Sequence, residues 1–115
     1  MSDRPIRVAE QIRRDLAELL REVKNPEVQA ATLITITHVE VSGDLGVARV
    51  LLSLVSDDPG SVIRGVGRAR GFLQRELGRR MRMKKMPELR FELDDTEERA
   101  GRIEKILRKI NDAEE

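Results

Sequence analysis

Two runs rich in β-branched residues, Thr32–Val41 (TLITITHVEV) and Val47–Val55 (VARVLLSLV), are separated only by a turn around Ser42-Gly43-Asp44. A link this short cannot carry a crossover, so the two runs must pair as an antiparallel hairpin. Within the first run the apolar parity switches: Ile34 and Ile36 are even, Val39 and Val41 odd. Alternate residues of a strand point to opposite faces, so the switch predicts a bulge near Thr37-His38. In the second run Ala48, Val50, Leu52 and Leu54 keep one parity and are expected to face the core. A two-stranded hairpin is marginal alone, so the remaining chain has to cover one of its faces.

Residues 4–24 supply such a cover. Val8, Ile12, Leu16, Leu19 and Val23 form one helical stripe, with Arg7, Arg14 and Arg21 opposite. Pro5 suits a first helical turn, and Asn25-Pro26 is expected to end the helix. A second helical pattern begins near Pro59, behind Asp57-Asp58, and passes Val62, Ile63 and Val66. Glycines at 65, 67 and 71 predict a break near Ala69-Arg70-Gly71, because each weakens a helix by roughly 1 kcal/mol.

Beyond the break, Leu73, Leu77 and Met81 restart the stripe, and Arg75, Arg79 and Arg82 fall on the opposite meridian as a guanidinium ridge. Pro87 is expected to end this helix. Glu88–Asp94 (ELRFELD) alternates as a half-buried strand, with Leu89, Phe91 and Leu93 inward. Asp95 and Glu98 sit at capping-box spacing before a last helix whose apolar face is Ile103, Ile106, Leu107 and Ile110. The acidic end, residues 111–115, reads as a short frayed tail.

The expected fold is therefore α+β, α-β-β-α-(kink)-α-β-α, with helices packed on one face of a three-stranded sheet. At 115 residues it fits a single domain spanning 1–115.

Charge singles out one stretch. Arg64–Lys85 carries nine Arg/Lys against the lone acid Glu76, a local +8 in a chain whose net charge is only +1. Cations without acids at helical spacing repel one another unless an anionic partner arrives. With no Trp or Tyr, and Phe72 and Phe91 assigned to the core, base stacking is a poor mode of contact. Arg/Lys contacts to phosphate and sugar are expected instead.

Enzymatic readings find little to stand on. His38 is the only histidine and there is no cysteine, so neither a His pair nor a thiolate metal site can be built. Asp57-Asp58 and Asp94-Asp95 sit where helices begin and read as caps. The glycines at 65, 67 and 71 miss the GxGxxG spacing and follow a helical pattern, which removes the dinucleotide reading. No cofactor, metal or small-molecule substrate is expected. With neither a signal peptide nor an apolar membrane span, the reading is a soluble cytoplasmic protein.

RVAEQIRRDLAELL (7–20), TITHVEVSGDLGVARV (35–50), Ala69-Arg70-Gly71, MPELRFELDD (86–95) and RIEKIL (102–107), in this order and spacing, resemble the ribosome-binding factor A family. The resemblance implies a KH-like type II RNA-binding domain in which an AxG interhelical kink, matched here by Ala69-Arg70-Gly71, replaces the usual GxxG loop. It implies no catalysis. Its members bind the small ribosomal subunit (30S) and its 16S rRNA in late maturation, assist folding and 5′-end processing, and matter most in the cold. In some bacteria a ribosome-associated GTPase aids their release. Many members carry a longer charged C-terminal tail than the stub after Ile110.

On this reading the RNA-binding residues are Arg68, Arg70, Arg75, Arg79, Arg80, Arg82, Lys84 and Lys85, extended by Arg4 and Arg7, in a monomer. Gly71 is expected to permit close backbone approach at the kink. The rival reading is a protein-interaction module whose basic helix meets an acidic protein and whose free strand edge pairs with a partner.

Overall fold

Pro5 in its first turn and an apolar stripe along its length make α1 (Arg4–Glu22) an amphipathic helix. Ile12, Leu16 and Leu19 are sealed from solvent. The computed structural model describes residues 3–95 and 104–111 of the chain. Asn25-Pro26 does end α1, but it also starts something the sequence reading missed. The Asn25 side chain accepts from the N–H groups of Glu27 and Val28, and so caps a one-turn helix α2 (Pro26–Gln29). That turn buries Val28.

β1 (Leu33–Val41) and β2 (Val47–Val55) pair antiparallel, and the register slips between Ile36 and His38, where the parity switch placed a bulge. The turn between them is held by side chains. Ser42 Oγ donates to Asp44 Oδ1 (2.7 Å) and accepts from the N–H groups of Gly46 (3.1 Å) and Val47 (3.0 Å). Leu45 is left-handed there, at φ 61°.

The predicted break is a single residue. α3 (Pro59–Arg68), capped by Asp58 Oδ1 accepting from Ser61 N, ends at Ala69, whose φ −81°, ψ −1° also leads into α4 (Arg70–Met81). β3 (Glu88–Leu93) returns parallel to β2, giving the order β1-β2-β3 with β2 central. This is the α+β arrangement expected, with β3 reached by a helical crossover as parallel pairing requires.

Between the sheet and the helices lies one core of Leu, Ile and Val: Ala48, Val50 and Leu52 from β2, Leu89 from β3, Val66 from α3, and Leu73 and Leu77 from α4. Fully burying each of these aliphatic side chains larger than alanine contributes about 1.5–3 kcal/mol. Gly65 is what lets α2 reach α3. A Cβ there would stand 3.0 Å from Asn25 Oδ1 and Glu27 Cβ, and 3.1 Å from Val28 Cγ2. Gly67 and Gly71 have no such neighbours.

Four expectations need correction. Leu93 is 40% exposed rather than inward, whereas Phe91, half-buried, still packs against the core. α4 ends at Met81, not at Pro87, because Arg82 turns left-handed at φ 53°. Residues 104–111 are helical but exposed throughout, so Ile106, Leu107 and Ile110 form an apolar face without contributing to the core. Gly71 shows no positive φ and open space around it, so the kink does not depend on it sterically. The capping box at Asp95–Glu98, Ile103 and the tail 112–115 lie wholly or partly outside the described residues.

Candidate nucleic-acid interface

Nine cations concentrated in 22 consecutive residues would repel one another strongly if nothing answered them. Acids distant in sequence answer three. Arg68 pairs with Glu27 of α2, Arg70 approaches Glu88 of β3 at 3.6 Å, and Arg80 meets Glu18 of α1 at 2.8 Å. A fourth, Arg79, pairs with Glu76 one turn back at 3.1 Å. Acids at helical spacing therefore understate how much of this charge the fold neutralises.

Among the described residues, no carboxylate oxygen lies within 4.0 Å of Arg64, Arg75, Arg82, Lys84 or Lys85. These five are the cations most available to an outside anion. Arg75 and Arg79 project from α4 into solvent as predicted, on the side away from buried Leu73 and Leu77. Arg82 is not on their ridge. As the left-handed residue after α4 it belongs to the turn that follows.

That turn builds a cleft of ≈ 630 Å³. Arg4 enters it from the start of α1, Arg82, Lys84 and Lys85 from the segment after α4, and Asp44, Leu45 and Gly46 from the β1–β2 turn. Arg7 is exposed but does not line it. The two non-glycine residues with positive φ in the described chain, Leu45 and Arg82, both line this cleft. Left-handed residues of this kind cost free energy and persist where surrounding structure over-determines them.

Among the described residues Asp44 is the cleft's one acid, and its carboxyl is held below the ordinary aspartate value. The hydrogen bond from Ser42 is the main cause, followed by the Gly46 N–H, with the charge of Lys85 adding to them. The cleft therefore presents four cations against one fixed anion. No single sequence window could have shown it, because its walls come from three separate places in the chain.

The outer face of the sheet is different in kind. Arg49 lies between Glu40 (3.4 Å) and Glu92 (2.7 Å), and its guanidinium is held even more firmly protonated by them, chiefly through the Glu92 hydrogen bond. Arg90 lies 3.4 Å from Glu88. Charge there is largely satisfied within the chain, in contrast to the α4 face and the cleft. Chemically, that surface can receive phosphates: guanidinium forks and ammonium groups supply many donors and full positive charge. Among the described residues no three His, Asp or Glu side chains come together as metal ligands.

A family model described as Ribosome-binding factor A matches residues 4–107. Ribosome-binding factor A of Aromatoleum aromaticum is 43% identical over 107 residues, spanning 90% of this chain and 82% of that protein. The crystal structure of ribosome-binding factor A from Thermus thermophilus superposes with a TM-score of 0.70 at 28% identity, covering 77% of this chain and 93% of that one. A Thermus thermophilus ribosome-binding factor A homology model, fitted into a cryo-EM map of a 30S complex, gives a TM-score of 0.64 at 30% identity. It covers 75% of this chain and 90% of that one. The residues matched by the family model include both sides of the kink and all of the cleft, and the chain belongs to the ribosome-binding factor A family.

Proposed function

We propose that this chain is a non-catalytic assembly factor that binds the immature small ribosomal subunit through its 16S rRNA. In this role it stabilises one local RNA arrangement during late maturation and assists 5′-end processing, with its greatest effect in the cold. The observation that carries the proposal is the convergence of Arg4, Arg82, Lys84 and Lys85 on one cleft beside the exposed Arg75 and Arg79 of α4. The relative fitted into a 30S map supports the choice of partner. Arg68 and Arg70 flank the kink and exchange their present carboxylates for phosphates on binding. Gly71, with open space around it, admits a phosphate backbone close to the chain. The protein acts as a monomer and without a cofactor.

The test is co-sedimentation with purified immature small subunits across a salt series. Phosphate contacts predict a log–log slope of about −0.7 to −0.9 per phosphate neutralised. An affinity indifferent to salt overturns the proposal. So does retained co-sedimentation after charge reversal at Arg75, Arg82 and Lys84, because the basic surface would then not carry the contact.

A further inference from the structure

α1 separates its charges by flank. Its Glu18 hydrogen-bonds Arg80 of α4, and that bond, with the charges of Glu18, Asp15 and Glu22 adding to it, holds the guanidinium still more firmly protonated. Arg13, Arg14 and Arg21 line the other side, along a groove of ≈ 850 Å³ between α1 and β1. Among the described residues Glu10 is the one acid on that groove, and no carboxylate oxygen of theirs lies within 4.0 Å of the three arginines. The floor between them is apolar, from Ala17, Leu20 and the 56%-exposed Leu33.

The groove's far wall is a strand edge with free hydrogen-bonding capacity. β2 turns its even-numbered backbone groups to β3, as Glu88 N to Gly46 O and Asp94 N to Leu52 O show. Its odd-numbered groups turn to β1, as Ser42 N to Val47 O and Thr32 N to Val55 O show. Through the register, Leu33 and Thr35 therefore face β2. Ile34 and Ile36 direct their N–H and C=O away, to an edge that no strand among the described residues occupies. The bulge after Ile36 ends this platform.

We propose that this groove takes an extended acidic segment of a protein partner, added to β1 as a fourth strand. This goes beyond the RNA-binding proposal and concerns a different flank of α1. A peptide strand satisfies both the donors and the acceptors of Ile34 and Ile36, as strand addition does elsewhere. An RNA backbone would set phosphate oxygens against their carbonyls. A second copy of this chain would bring its own Arg13, Arg14 and Arg21 against these. Alternating carboxylates and small apolar side chains answer the arginines and the floor together.

The experiment titrates the isotopically labelled full chain with a blocked hexapeptide alternating Glu and Val, and with its Lys/Val counterpart, followed by amide NMR. Saturable shifts at the Ile34 and Ile36 amides, at least tenfold tighter for the Glu peptide, are expected. Arg13→Glu with Arg21→Glu, both at exposed positions, should weaken that binding at least tenfold with an unchanged circular dichroism spectrum. Four results overturn the proposal. These are no saturation at millimolar peptide, equal binding of both peptides, shifts confined to residues 64–85, or tighter displacement of the same amides by a uridine oligonucleotide.

Discussion

Arg80 Nη1 of α4 donates to Glu18 Oε2 of α1 at 2.8 Å. This bond ties the basic helix α4 to the acidic flank of the first helix. It also divides the cations of α4 into two kinds: Arg80 is engaged with the protein itself, whereas Arg75 has no carboxylate among the described residues within ion-pair distance.

Exchanging each for alanine should separate the two kinds. Arg80→Ala is expected to lower the melting temperature slightly, as loss of an exposed ion pair does, while leaving the salt dependence of subunit binding almost unchanged. Arg75→Ala should do the reverse, keeping the melting temperature and making the log–log salt slope shallower by about 0.7–0.9. Thermal unfolding and co-sedimentation on the two variants read this directly.

Arg82 offers a substitution whose effects on fold and binding have opposite signs. Its φ of 53° is one that glycine adopts without steric cost. Arg82→Gly should therefore stabilise the chain by about 1 kcal/mol in urea unfolding. It removes a cation from the cleft at the same time, so small-subunit affinity should fall.

The glycines of the α3–α4 region should respond unequally to alanine. At Gly65 the new Cβ would press on Asn25, Glu27 and Val28, and overpacking of this kind costs about 1–3 kcal/mol. Gly67→Ala and Gly71→Ala meet nothing within 4 Å and should be neutral or stabilise by up to about 1 kcal/mol. Any loss of RNA binding by Gly71→Ala would then report contact with the RNA rather than damage to the kink.

Asp44 should titrate below ordinary aspartates. Its folded pKa is depressed beneath 3.8, chiefly by the Ser42 hydroxyl. Its stabilising effect is therefore fully present above the unfolded value and disappears as pH falls through the lower folded value. Carboxyl NMR titration should show Asp44 still ionised where free aspartates are half-protonated. Ser42→Ala should move it back toward 3.8.

Legibility followed the range of the forces involved. The α1 stripe, the hairpin and the slip at Ile36/His38 are local patterns, and the residues announce them directly. The break at Ala69 was legible from glycine content, although Gly65 proved to serve packing and Gly71 proved to be open. α2 escaped notice because Asn25-Pro26 stops one helix and starts another with the same two residues. The partners of Arg68, Arg70 and Arg80 escaped because Glu27, Glu88 and Glu18 are remote in sequence. The cleft escaped for the same reason, and its left-handed Arg82 leaves no compositional trace.

The placement of β2 carries a consequence for how the chain folds. One of its partners, β1, is a hairpin neighbour, while the other, β3, joins only after the chain has run through both helices of the crossover. Local pairing closes with little loss of chain entropy, whereas the parallel pairing must await α3 and α4. The segment from Arg82 to Lys85 leads directly into that last strand. The basic cleft is therefore completed with the slowest long-range pairing of the sheet, so a chain that has not finished folding presents only part of its anion-binding surface.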